Sequence, residues 1–505
     1  MIGRTSAVVL SGLTGHLVDV EAHIGSSLPG FTIVGLPDAS LSEARDRVRA
    51  AVASSGLAWP QRRITVNLSP ASLPKSGTGT DLAIAVAVLA AAEQIDPVRA
   101  AGVTHIGELG LDGRVRPIPG VLPAVAAAAA RGAERVAVPG ANLDEARLVP
   151  GVEVAGLVTL AELAQAYGAT TAVATTSAPV PLPTQPLALV EQVDLAEVQG
   201  QEEARWALEV AAAGGHHLLM SGPPGAGKTM LARRLPTILP DLTDEDAVTT
   251  TAIHSLAGTL DPTGGLLRTP PFEAPHHSAS AASIVGGGSG LARPGAISRA
   301  HAGVLFLDEA PEFPARVLQT LRQPLEHGEV VLHRAHGTAR YPARFQLVLA
   351  ANPCPCGRFY GTGERCDCSP MARRRYFGRL SGPLLDRVDL QVEVMPVRGA
   401  SAEPAESSAA VAARVVRARA AAAARLSDTP WTLNSQASGT WLRRHTARGS
   451  AALIWQALEG GVITARGADR ALRVAWTLAD LDGRDSPGPD DVAQALTLRS
   501  RGGAG

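Results

Sequence analysis

Two short segments carry the residues best suited to chemistry: Gly222-Pro223-Pro224-Gly225-Ala226-Gly227-Lys228-Thr229, and the run VLFLDEA at Val304–Ala310. The first has glycine, lysine and threonine at every fixed place of G-x-x-x-x-G-K-[ST]. Glycines let a backbone curl around a phosphate with no Cβ in the way, and the loop N–H groups then point at the anion. In that setting Lys228 pairs the β- and γ-phosphates and Thr229 holds Mg2+. The second segment is a strand too apolar to be exposed, ending in Asp308-Glu309. Asp308 is expected in the Mg2+ shell, and Glu309 is expected to orient and deprotonate the attacking water. Residues of these types at this spacing predict hydrolysis of a nucleoside triphosphate.

Further polar residues stand where such a site needs them. Asn352 closes the apolar stretch Phe345–Ala351. Its amide either hydrogen-bonds the γ-phosphate or water, or simply forms the turn before Pro353. Arg387, in SGPLLDRVDL, rises from a packed base. That suits an arginine finger reaching a neighbouring subunit's nucleotide; the alternative is an ion pair with Asp386 or Asp389. Arg466 begins a helix and is a candidate for phosphate contact from above, with Arg470 and Arg473 as rivals on the same helix.

All four cysteines lie between Cys354 and Cys368, as CPCG…CDC. Cys354, Cys356, Cys366 and Cys368 can close a tetrahedral Zn2+ site; free thiols and a redox pair are the alternatives. Arg373-Arg374-Arg375-Tyr376 follows, a basic run that either touches a phosphate backbone or is a solvated helix face. His276-His277 reads better as a turn or pore loop than as a metal site, since Glu273 is the only acid nearby.

The elements that must position these residues fall into three α/β or α units. Residues 1–168 alternate short strands (Ala7–Leu10, Leu17–His23, Thr32–Val34, Arg63–Leu68, Arg135–Val138) with helices at Ser40–Ser54, Asp81–Ala92 and Val121–Arg131. His105–Leu109 and Arg114–Pro117 read as a hairpin. Residues 169–193 are rich in Thr, Pro, Ala and Ser and read as a linker. From Asp194 to about residue 396 the order is helix (Glu202–Ala213), strand, phosphate loop, helix, the opening of a doubly wound core. Residues 405–500 read as helices only and are expected to form a lid over the nucleotide.

Composition narrows the partners. The chain has 505 residues and a formal net charge of −1, so there is no global basic field for nucleic acid. Any such binding must come from local patches or a central pore. Aromatics make up only 3% of the chain, so helices should pack on small side chains. No apolar run is built to cross a membrane, and the first residues lack the layout of a signal peptide. A cytoplasmic protein is expected.

The phrases GHHLLMSGPPGAGKTMLA, PFEAPHHSAS, ARPGAISRAHAGVLFLDEAPEF, LVLAANPCPCG, SGPLLDRVDLQVEV and RVAWTLADL together resemble the YifB/ComM family of magnesium-chelatase-like AAA+ ATPases. The resemblance spans nearly the whole chain in the right order. It implies a Lon-protease-like α/β N-terminal domain, an AAA+ P-loop core and an all-α C-terminal lid, with ATP and Mg2+ as cofactors. It also implies ring hexamers and, for ComM members, DNA helicases that drive branch migration when transforming DNA is integrated. The same core serves magnesium-chelatase ATPases that remodel a protein partner, which is the competing reading. Lon proteases carry a serine in P-K-D-G-P-S-A-G and a lysine shortly after P-I-G-G. Here Gly79 stands at the serine and Leu122 at the lysine, so neither half of the pair is present. Lys75 and Ser76 are no substitute, because neighbours on a strand point to opposite faces. A protease fold retired to binding or ring assembly is expected.

Overall fold

The computed structural model describes residues 2–35, 39–73, 75, 77–170, 178–181, 193–288, 292–334, 337–380, 382–397 and 405–500. The expected linker therefore lies mostly outside the described residues.

Alternation of apolar and polar residues makes Ile2–Ser11 and Thr14–Ile24 a long antiparallel pair, from Ile2 opposite His23 to Ser11 opposite Thr14. They form the middle of a seven-stranded mixed sheet. Its spatial order is Gly30–Val34, Arg63–Ser69, Thr14–Ile24, Ile2–Ser11, Thr104–His105, Arg135–Pro139, Glu153–Leu157. The helix Asp81–Ala91 is buried at every position, because its small and branched residues pack on both long strands at once. The expected hairpin is narrower than its sequence suggested: Glu108–Leu109 pairs with Val115–Arg116, while Thr104–His105 joins the large sheet. His105 explains the difference. It is fully buried between the Thr5 hydroxyl (2.7 Å) and the Tyr167 hydroxyl (2.8 Å), partners a solvent hairpin cannot supply.

The second sheet is entirely parallel. Its order is Phe272–Glu273, Val304–Leu307, Gln346–Ala351, Leu218–Ser221, Leu390–Glu393. These strands are continuously apolar because both faces are covered. Leu218, Met220, Val304 and Phe306 share one core with helices on one side. Leu219, Leu305 and Leu307 point the other way, into a core closed by Phe313, Val317 and Leu384. A separate hairpin, Glu329–Arg334 with Gly337–Pro342, projects from this unit.

Residues 405–500 fold as helices at Ser408–Arg425, Gly439–His445, Ala452–Glu459, Ala465–Leu481 and Pro489–Ser500. Their apolar residues join the first of those cores. Polar contacts as well as apolar ones fix their docking. Arg470 donates to Asp389 at 2.6 Å, Thr477 pairs with His216 at 2.8 Å, and Arg499 donates to the Val388 carbonyl at 3.2 Å. His216, Val388 and Asp389 immediately precede strands, so the helix Ala465–Leu481 sits at the N-terminal edge of the parallel sheet.

The N-terminal domain is seated on the parallel-sheet unit. Ser255 of the helix Asp244–Ala257 donates to the buried Glu145, and Gly120 N–H donates to the Ser255 carbonyl at 3.2 Å. Leu10 and Leu13 pack on Leu256 and Tyr341, both fully buried.

Candidate functional site

Three chain segments leave the C-terminal edge of the parallel sheet side by side. The phosphate loop follows Ser221, Asp308-Glu309 follows Leu307, and Asn352 follows Ala351. Parallel register does this, since Leu219 is level with Leu349 and Leu307 with Leu349. The loop needs its glycines for two separate reasons. A Cβ on Gly222 would lie 2.1 Å from the Val394 carbonyl oxygen, and Gly227 has φ +98° at the start of the helix Lys228–Arg234. Gly225, Pro223, Pro224 and Ala226 complete the turn between them.

Lys228 is largely buried and donates to the Gly222 (2.6 Å) and Pro223 (3.0 Å) carbonyls and to Asn352 Oδ1 (3.3 Å). Burial lowers its pKa, opposed by the charges of Asp308 and Glu309. Thr229 Oγ1 donates to Asp308 Oδ2 at 2.6 Å. A hydroxyl and a carboxylate oxygen so close together are hard donors suited to Mg2+. Glu309 follows with φ +51°, a strained backbone for a residue other than glycine. Its carboxylate lies 3.3 Å from Nδ1 of His277. Lysine, threonine, both acids and the asparagine thus converge at one edge.

The arginines do not. Arg387 donates to the Pro383 carbonyl and ion-pairs with Glu326, and Asp389 is taken by Arg470. The partners expected within the chain, Asp386 and Asp389, are therefore not the ones used. Arg387 has its pKa lowered by burial and by the charges of Arg470, Arg322 and Arg466. Arg466 accordingly lies in the Arg387 cluster and not above the phosphate loop. Arg387, Asp389, Arg470, Arg473, His217 and Trp431 help to line a cavity of about 720 Å3. Burial pushes Asp389 up, but the His216 contact and the Arg470 charge outweigh it and hold the carboxyl well below the usual range.

The four cysteine sulfurs lie within 4.8 Å of one another. Cys354 Sγ is 3.3 Å from Cys356 Sγ and 3.6 Å from Cys366 Sγ, and Cys356 Sγ is 3.7 Å from Cys366 Sγ. Four thiolates around Zn2+ stand roughly 3.8 Å apart, given a Zn–S bond of about 2.3 Å. The donor set therefore fits Zn2+. The loop leans on the phosphate loop: a Cβ at Gly357 would lie 2.6 Å from Pro224 Cδ. Arg373 belongs to this loop and not to a free basic face. It donates to the Cys368 carbonyl at 3.2 Å and stacks 3.8 Å over the Phe359 ring. Of the expected run, Arg374 and Arg375 are the exposed members, on the helix Pro370–Gly378.

In the N-terminal domain a Cβ at Gly79 would meet Ile118 Cδ1 at 3.0 Å, and Leu122 is buried with its N–H on Glu145 at 2.9 Å. Lys75 donates to the Pro70 carbonyl. Ser76 lies outside the described residues. Among the described residues no helix is long and apolar enough to cross a membrane.

Sequence reasoning missed the contact of His277 with Glu309. The signal was present as a histidine pair just beyond a short apolar segment, but nothing local says which strand that segment joins.

Residues 194–402 match the model for magnesium chelatase, subunit ChlI; residues 20–142 match subunit ChlI of Mg-chelatase; residues 405–499 match the ChlI C-terminal model. An uncharacterised protein of Mycobacterium tuberculosis is 52% identical over 99% of both chains. YifB of Escherichia coli is 42% identical over 97% of this chain and 95% of its own. Competence protein ComM of Haemophilus influenzae is 40% identical over 97% of this chain and 96% of its own. A partial likeness, 31% over 28% of this chain, is to Lon protease 2 of Bacillus subtilis.

Proposed function

The chain belongs to the magnesium-chelatase-like ATPase family that includes YifB and ComM, and from that membership we propose that it is an ATP-hydrolysing AAA+ ring motor acting on DNA in the cytoplasm. Its work on this reading is helicase or branch-migration activity in DNA integration or recombination. The observation that carries it is the division of the site. Lys228, Thr229, Asp308, Glu309 and Asn352 stand at one edge of the sheet, and Arg387 with Arg466 stands at the other. A four-residue strand at about 3.3 Å per residue separates the edges by roughly 13 Å. One chain cannot bring both to its own nucleotide. Head-to-tail contact between copies can, and where the rotation closes such contacts make a ring, which the family resemblance puts at about six copies.

At each interface Gly222–Thr229 would hold the triphosphate, with Thr229 and Asp308 as the protein ligands of Mg2+. Bound Mg2+ offsets phosphate charge. Lys228 would exchange its loop carbonyls for phosphate oxygens. Glu309 would take the proton of the attacking water, and Asn352 would orient the γ-phosphate or that water. Arg387 of one copy would stabilise charge developing on the next copy's nucleotide. Cys354, Cys356, Cys366 and Cys368 would hold structural Zn2+.

The competence name of the ComM relative supports DNA as the track. A net charge of −1 gives little attraction for a single copy. A ring gathers Arg374 and Arg375 from every subunit along one channel. The test is ATP turnover with and without single-stranded DNA, followed by unwinding of a three-stranded junction with Glu309→Gln as control. DNA is expected to stimulate turnover, less so as salt rises. Assembled rings that bind no DNA at low salt would favour the second reading, remodelling of a protein partner, which the chelatase-subunit likeness supports.

A further inference from the structure

Between Asp428 and Glu459 the chain carries no acid, yet Arg443, Arg444, His445 and Arg448 all fall there. The first three occupy the last turn of the helix Gly439–His445, and Arg448 follows it. Cations in a last turn offset the helix dipole. That accounts neither for Arg448, which lies beyond the helix, nor for how little of the charge is neutralised. Arg443 ion-pairs with Asp469. Arg444 and Arg448 are exposed and have no ion pair among the described residues.

His445 tops a column of rings. Its imidazole stacks on the Trp441 indole, with 4.0 Å between centroids and 17° between planes, and Trp441 meets the buried Trp476 at 5.7 Å. The column is fixed at each level. His445 Nδ1 donates to the Trp441 carbonyl at 2.8 Å, and Trp476 Nε1 donates to Thr446 Oγ1 at 3.0 Å. A Cβ at Gly439 would collide with the Asp469 carboxylate, so the helix is seated closely on Ala465–Leu481. His445 is nonetheless exposed. It is a flat ring held firmly at the surface between two uncompensated arginines.

We propose that Arg444, His445 and Arg448 form a second nucleic-acid contact, which takes a single strand: the arginines hold its phosphates and the His445 ring carries an unpaired base. A base inside a duplex is stacked on both sides, whereas a free strand offers a face to a ring. An acidic peptide would use the arginines and leave the ring idle. The inference rests on the reading of DNA as the track, and it adds a contact remote from Arg374 and Arg375. Those follow the cysteine loop, which leans on the phosphate loop. The helix Gly439–His445 is tied by Arg443 and Thr446 to Ala465–Leu481, at the opposite edge of the parallel sheet. Two contacts on opposite edges let a motor hold one strand in its channel and keep a displaced strand apart from it.

The test is binding of a labelled single-stranded oligonucleotide to the full chain, by fluorescence anisotropy over a salt series, beside basal ATPase. Arg444→Gln with Arg448→Gln should weaken binding about tenfold at 0.1 M salt and lower the slope of log affinity against log salt by about 1.4, roughly 0.7 for each single-strand phosphate. His445→Ala should lose about tenfold, as for one base–aromatic stack, and His445→Phe should stay within about threefold of wild type. Basal turnover should be unchanged throughout, because none of the three belongs to the nucleotide site. Should the arginine pair lose it, Arg448→Gln alone makes the comparison, at about fivefold. Arg62→Gln with Arg131→Gln removes the same charge from exposed positions of the N-terminal domain. An equal loss in that control overturns the inference, as does wild-type affinity and slope in the arginine pair, or an equal loss in both His445 variants. Polyglutamate that competes as well as a strand of equal charge would mark an acidic-peptide surface and overturn it too. Wild-type protein that binds no DNA at low salt removes the DNA reading and this inference together. Wild-type binding that the variants leave unmoved removes only the role of this surface.

Discussion

Thr229 and Asp308, 79 residues apart in the chain, share a 2.6 Å hydrogen bond at the C-terminal edge of the parallel sheet. The bond holds two oxygen ligands at the spacing one cation needs. Beside it, Lys228 satisfies its ammonium on the carbonyls of its own loop. Both arrangements are ready to be exchanged for a magnesium nucleotide.

Removing Lys228 and removing the Glu309 carboxylate should therefore differ in kind. Lys228→Ala should lose ATP binding, measured by calorimetry or a fluorescent nucleotide. Glu309→Gln should bind ATP and lose turnover by about 100-fold or more, the usual cost of a missing base. Turnover above roughly a tenth of wild type in Glu309→Gln contradicts its role.

Arg387→Ala should lower kcat by about a thousandfold with ATP affinity largely kept, as for an arginine acting on transition-state charge. Its loss frees the half-exposed Glu326, so stability should change by less than about 1 kcal/mol. Mixing Arg387→Ala with Lys228→Ala should restore part of the activity, because some interfaces then hold one intact half from each. Well-mixed assemblies with no recovery would mean that the arginine does not act between copies.

Metal analysis of the purified protein should find about one Zn2+ per chain. Cys354→Ser should lose that metal and weaken nucleotide binding as well, since the cysteine loop leans on Pro224 through Gly357. Four thiols that titrate freely in the native protein would rule out the site.

Stability should fall as pH drops below neutral. Burial lowers His105 to about 3 and His217, His254 and His301 to about 4. The unfolded chain binds protons on these rings near pH 6.5 while the folded chain does not, so stability rises with pH between the two values. From pH 7 to pH 5.5 each ring should cost about 1 kcal/mol. Urea unfolding at the two pH values measures the total, and His254→Gln should reduce the difference by roughly one ring's share.

The nucleotide edge was legible because its chemistry is local. Gly222–Thr229 and Val304–Glu309 each carry strand, turn and ligand within a few residues, and the parallel register then brings them together. The long strands and the helix Asp81–Ala91 were legible from apolar spacing alone. What was hidden depends on distant packing. The place of Arg466 is decided by where Ala465–Leu481 docks, through Arg470 on Asp389 and Thr477 on His216. Arg373 looked like one of three equal arginines until Phe359 and the Cys368 carbonyl claimed it. The two-residue strand Phe272–Glu273 is too short to betray its neighbour, and so His277 could not be assigned to Glu309.

The seat of the N-terminal domain has a consequence for how this chain can be cut. Leu10 and Leu13 from one domain cover Leu256 and Tyr341 from the other, and Ser255 satisfies the buried Glu145 across the seam. A truncation at the linker would leave an apolar scar on the ATPase half and take from the Glu145 carboxyl its Ser255 donor on the other. The two halves should therefore melt as one cooperative unit, so a lone ATPase fragment that aggregates says nothing about what the missing domain does in the cell.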